Sequence, residues 1–193
     1  MLNIKPLLAA ASFALMAALP AAAQQKLVPA QSEMGFQFKQ MGVPVDGKFK
    51  KFDAQINFDA AKLATSKVTF TVDIVSATIG DPATDAELPK APWFNTARFP
   101  QATFASSSIK ALGAGKYEVA GKLSVKGVAQ DVVVPVTMTQ SGSGSAALTT
   151  ATGTFPIKRL TFKIGEGEWA DTGMVADPVQ IKFKLALTGV GKL

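Results

Sequence analysis

Residues 179–187 read VQIKFKLAL: Val179, Ile181, Phe183, Leu185 and Leu187 fall on one phase, with Gln180, Lys182 and Lys184 between them. A repeat of two puts every apolar side chain on one face of a strand and every polar one on the other. The same period recurs along the chain. Met34, Phe36 and Phe38 alternate with Gly35 and Gln37, and Val68, Phe70, Val72 and Ile74 alternate with Thr69, Thr71 and Asp73. Val45, Gly47 and Phe49 lie on one phase and Phe52, Ala54, Ile56 and Phe58 on the other, so a bulge or bend is expected at Lys50 and Lys51. Further strands are expected at 102–109, 116–125, 129–139 and 146–155, with turns at 113–115, 126–127 and 141–145.

About eight antiparallel strands with short connections make an all-β chain, either a sandwich or a closed barrel. The barrel is preferred: closure at about eight strands leaves room for one small ligand, as in lipocalins. Only residues 81–97 interrupt the pattern for long. Asp81 and Pro82 open one short helical segment there, and Pro92 a second.

Residues 1–23 read as a cleaved secretory leader: Lys5, an apolar run from Leu7 to Leu19, Pro20, then three alanines. Residues 24–193 are expected to form one exported, periplasmic domain. Cysteine is absent, so no disulfide contributes to its stability. Without Lys5 the net charge falls from +6 to +5, which suits a basic surface or attraction to an anionic membrane face. Arg98 and Arg159 are the only arginines, and no nucleic-acid partner is expected.

The chain has neither histidine nor cysteine, which excludes a Ser-His-Asp triad, a cysteine nucleophile and a conventional zinc site. Asp81, Asp85 and Glu87 cluster in one loop and Glu166 and Glu168 in another, but a glycosidase needs two carboxyls opposed across a cleft. The glycines of GAGKY and GEGEW lack the spacing of phosphate-binding loops and read as turns. No metal, nucleotide or covalent cofactor is expected, and the chain reads as a binding protein with a carboxylate enzyme as the weaker alternative.

The aromatic segment APWFNTARFPQATF, residues 91–104, admits two roles. Its rings plug one end of the barrel, or they line and gate an apolar pocket.

The ordered set WFNTARFPQATF, VAGKLSVKGVAQDVVVPV and RLTFKIGEGEW with VQIKFKLAL, preceded by GVPVDGKFKKFDAQINFD, resembles the YceI-like family of exported polyisoprenoid-binding proteins. The resemblance implies a lipocalin-like barrel around a long isoprenoid lipid, a polyprenyl species or an isoprenoid quinone, with no covalent chemistry. It also implies a possible membrane partner of the cytochrome b561 type. Expected ligand contacts are Phe36, Phe38, Phe70, Val72, Trp93, Phe94 and Phe104, with Arg159 and Phe162 from the R-x-x-F-x-I-G match. Arg159 is expected either to hold the polar head or to pair structurally. Many members carry histidines where this chain has Gln40 and Glu87, so their head-group contacts do not carry over. A tail of roughly forty carbons at ~0.3 kcal/mol per heavy atom would contribute on the order of 12 kcal/mol without polar help.

Overall fold

A computed structural model describes residues 24–193, so the leader expected over 1–23 lies outside the described residues. The first strands are β1 (Lys26–Leu27), β2 (Glu33–Gln40), β3 (Val43–Phe49) and β4 (Phe52–Asn57). β5 (Lys67–Asp73), β6 (Ala77–Thr78) and a single turn of helix α1 (Pro82–Asp85) follow. The long strands β7 (Gln101–Gly113), β8 (Lys116–Val125), β9 (Val128–Ser141), β10 (Leu148–Lys158) and β11 (Pro178–Thr188) complete the domain.

Hydrogen-bonded neighbours run β4-β5-β7-β8-β9-β10-β11-β2-β3-β6. Only Lys50 and Lys51 separate β3 from β4, and only Ile74–Ser76 separates β5 from β6. β3 pairs with β6, and β4 with β5. Each of these couples is therefore one long bent strand, and the path closes into a ring of eight staves. The expected bulge is what makes the bend. Lys50 N donates to Ser76 O, Asp73 N to Lys51 O, and Lys51 N to the Ser76 hydroxyl. Both lysines face solvent there, so Phe49 and Phe52 can each turn inward although they lie three residues apart.

The two ends of the barrel differ. At one, β1 lies against β11, and the Gln25 amide exchanges two hydrogen bonds with the Phe58 backbone, at 2.6 and 2.8 Å. Phe58 stacks edge-on against Tyr117, with ring centroids 5.3 Å apart, and both are buried. That end is sealed. The other is covered by a cap built from α1, the turns over 86–99 and the loop over 159–177.

The cap begins as expected: the Asp81 carboxylate accepts from Thr84 N and from the Thr84 hydroxyl, with Pro82 in the first turn of α1. The second helical segment expected from Pro92 is absent. Residues 86–99 are a series of turns, because Pro89 and Pro92 supply no backbone N–H and Asn95 takes a left-handed φ of 49°. Asp85 fastens this segment to the barrel, accepting from the Thr78 hydroxyl and from Ile79 N at 2.7 Å. These bonds, led by the hydroxyl, hold its carboxyl below the usual carboxylate range. A depressed folded-state pKa stabilises above the unfolded pKa, and the contribution is lost as pH falls through the folded value. Asp85→Asn should therefore lower Tm near neutral pH, and its deficit against wild type should shrink as the pH is taken below about 4. A deficit that stays constant across an acid series of melting curves would contradict this role.

Candidate binding cavity

The inward phases of the staves do not meet in the middle. Within the barrel lies a cavity of about 550 Å³ with an almost wholly apolar wall. That size falls within the range of small-molecule sites. Val179, Ile181, Phe183, Leu185 and Leu187, the row read from the sequence, all face it. Phe38, Phe70, Phe104 and Phe183 point inward yet are only half-buried, since part of their surface is turned to the lumen.

Phe36, Phe38, Phe70, Val72, Trp93, Phe94 and Phe104 all line this one cavity. Phe162 does not. It is 2% exposed and packs in the core under the cap, so the ligand contact expected of it is corrected to a structural one.

The wall stays open for a reason the alternation alone does not reveal. A methyl group added at Gly47 would lie 2.2 Å from the Phe36 ring, one at Gly121 2.6 Å from the Phe104 ring, and one at Gly153 2.3 Å from the Phe183 ring. Three aromatic rings thus lie across glycines of adjacent strands instead of standing into the lumen. Glycine within an alternating run was the available sign of such close approach.

Arg159 borders the cavity, but its guanidinium has no N–H left to offer a ligand. Nε donates to Ala176 O, Nη1 to Ile164 O and Gly165 O at 2.9 and 3.1 Å, and Nη2 to Trp169 O and Val175 O at 2.7 and 2.6 Å. All five donors of the fork end on main-chain carbonyls of the cap loop. The side chain is 2% exposed; burial pulls its pKa down, and nearby Asp177 partly offsets this. Gly165 has to be glycine, since a Cβ there would come within 2.1 Å of Nη1 and its φ is +77°. The R-x-x-F-x-I-G run is therefore a structural clasp. Hydrogen bonding from Arg159 to a head group, the first of its two expected roles, is corrected to the second, with carbonyls in place of a carboxylate.

Lys126 is a second clasp that the sequence reading missed. Its side chain is 5% exposed, and Nζ donates to Ala91 O at 2.9 Å, to Lys163 O, and to Glu166 Oε2 at 2.9 Å. Gly165 N and Glu166 N also donate to Pro92 O, and Trp93 packs on Trp169 with ring centroids 5.3 Å apart. Segment 91–99 is thus a docked wall of the cavity. Moving it as a lid would leave the sheet ladders intact but would break these cap bonds. Lys126→Ala should cost about 2–3 kcal/mol, because a buried charged donor is lost to two carbonyls and a carboxylate. Amide exchange at Trp93 and Glu166 should accelerate well before global unfolding; unchanged protection there would show that Lys126 does not hold the cap.

Of the polar side chains in the lining, Gln40, Thr84, Glu87 and Arg159 lie at the cap, whereas Thr103 is on β7 and Tyr117 at the Phe58 end. Of these, Gln40 and Glu87 are exposed, as is neighbouring Ala83, and they mark where the cavity meets solvent. Four of the loop carboxylates have local partners. Asp81 and Asp85 hold the start of the cap, Glu87 pairs with Lys90, and Glu166 pairs with Lys126.

The profile of the YceI-like domain family matches residues 25–187. A UPF0312 protein of Photorhabdus laumondii is 32% identical over 167 residues, covering 83% of this chain and 86% of its own. Protein YceI of Escherichia coli O157:H7 is 32% identical over 125 residues, covering 63% and 65%. Among solved structures, Burkholderia cenocepacia BcnA superposes with a TM-score of 0.77 at 45% identity, over 83% of this chain and 98% of that one. A polyisoprenoid binding domain from Saccharophagus degradans, implicated in plant cell wall breakdown, superposes with a TM-score of 0.66 at 16% identity, covering 86% and 98%, and shares the fold.

Proposed function

The chain belongs to the YceI-like domain family, and from that premise we propose that it is an exported carrier that holds one long isoprenoid lipid inside its barrel. The observation that carries this reading is the apolar cavity running from the Phe58–Tyr117 end to the cap. A long tail fits such a wall, and its affinity comes from area and shape, with no need for strong polar contacts. The polyisoprenoid binding of the Saccharophagus degradans domain supports the ligand class. The apolar leader followed by three alanines supports the periplasm as its location.

The lining also favours one kind of head. Around the cap the cavity offers Gln40, Thr84 and Glu87, while the donors of Arg159 are all engaged. A phosphate would meet the Glu87 carboxylate and no unengaged cation in the lining. An uncharged head, such as a quinone or an alcohol, fits this end better. The barrel then acts as a binder that shelters the tail, and no bond is made or broken. Mass spectrometry of an organic extract of the purified protein tests the proposal. A neutral isoprenoid, stoichiometric with protein, is the expected result; protein that is empty and takes up no isoprenoid on mixing would overturn it.

A further inference from the structure

The outer surface of the barrel carries a feature that the cavity does not explain. A groove over the sheet, reaching Met34, Phe49, Tyr117, Val136 and Phe183 of the cavity wall, is bordered by Lys48, Lys50, Lys51, Lys116, Lys182 and Lys184, and by the single carboxylate Glu33. Six lysines and one glutamate make +5. This equals the entire net charge of residues 24–193, the chain's +6 less Lys5. With Asp46 beside Lys182 counted as well, the patch carries +4 and is a positive pole of the surface. The register shows how the sequence builds it. Lys182 of β11 and Lys48 of β3 lie on either side of Gly35 of β2, with no side chain between them, and Lys184 lies opposite Glu33. Among the described residues, Lys182 is the only one of the six within ion-pair distance of a carboxylate, 3.5 Å from Asp46.

The hairpin of β2 and β3 that contributes to this pole also carries an apolar tip. Met41 is 76% exposed and Val43 63%. Met174, 44% exposed, joins them from the cap loop, its carbonyl accepting from Met41 N at 2.8 Å. Next to this tip stand Gln40, at the solvent-facing part of the cavity lining, and Val175, bridged to it. The hairpin therefore presents large exposed apolar side chains beside the cavity mouth at its tip and Lys48 of the groove near its base.

We infer that this face docks on an anionic lipid bilayer, the lysines lying over the headgroups and Met41, Val43 and Met174 entering the interface, which sets the cavity mouth against the membrane. The inference rests on the lipid-carrier reading, because a tail that lives in a bilayer has to be collected from one. Charge complementarity selects the occupant, since clustered lysines are drawn to anionic headgroups and the attraction is screened by salt. Exposed apolar side chains at the rim add the second signal that stable surface binding requires.

The test is co-sedimentation of the mature protein with phosphatidylglycerol vesicles and with phosphatidylcholine vesicles. Binding should be at least about tenfold tighter to the anionic vesicles and should fall away as salt is raised toward about 0.5 M. Lys48→Glu with Lys184→Glu should weaken it by about tenfold or more, whereas Lys110→Glu, outside the groove, should change it little. Met41→Ser with Met174→Ser should reduce binding several-fold at low salt. Equal binding to both vesicle types, no binding to either, or insensitivity to the groove charges would overturn the inference; the last two would leave an acidic protein as the occupant that fits the charge. The organic extract is measured on the same preparations. Isoprenoid in the extract without vesicle binding would sink the docking face alone, while vesicle binding by a protein that takes up no isoprenoid would sink the carrier reading.

Discussion

Replacing Arg159 with alanine is expected to destabilise the fold by about 3–5 kcal/mol, the largest single-residue effect the structure implies. The change strips partners from the carbonyls of Ile164, Gly165, Trp169, Val175 and Ala176 in one step. Each buried acceptor left without a donor costs about 1–3 kcal/mol, and water entering the loosened loop recovers part of that. Lysine is not a substitute, since three donors on a flexible stem cannot reach five carbonyls held by a planar fork. Arg159→Lys should lose about 2 kcal/mol or more in a denaturant titration while the order of preference among isoprenoid heads stays as in wild type. A variant of full stability with altered head-group preference would return Arg159 to the ligand.

Gly47→Ala is expected to weaken binding of a long tail by about tenfold or more with only a modest loss of stability, about 1–3 kcal/mol. The three atoms nearest the added methyl all belong to the Phe36 ring, at 2.2 to 2.8 Å, so the ring is what has to move. Phe36 already rests on Phe49 at 5.2 Å and beside Phe38 at 6.3 Å, which leaves the lumen as its free direction. A phenyl ring standing in the cavity takes the volume that the tail would fill. The double variant Gly47→Ala with Phe36→Ala should restore binding, because the obstructing ring is gone. Isothermal titration of both variants checks this, and a single variant that binds as well as wild type would show that the ring is displaced along the wall.

The eight staves were legible because each exposes one face to water and one to the lumen, so the period of two is written into every long segment. The bend was legible too. Phe49 and Phe52 fall on opposite phases, and only an extra residue can reconcile them. Whether the inside was hollow was not legible, since alternating Phe, Val and Ile describe a filled core and a lined cavity equally well. What decides it is three rings laid over Gly47, Gly121 and Gly153 of the neighbouring strand, a match that depends on the exact register of each strand pair. The cap was the least readable part. Arg159 and Lys126 look like surface cations in the sequence, and only the folded loops bring their carbonyl partners within reach. Phe162 belonged to the same clasp, so the motif that suggested a ligand contact encoded a loop instead.

The protein's two tryptophans, Trp93 and Trp169, both line the cavity and report on its contents by fluorescence. Titration with uncharged isoprenoid alcohols of increasing length tests the central claim most directly. At ~0.3 kcal/mol per heavy atom, each five-carbon unit should add about 1.5 kcal/mol, so Kd should fall about tenfold per unit until the cavity is full. A Kd that does not change with tail length would contradict the account, because a barrel that holds a tail has to register how much tail it holds.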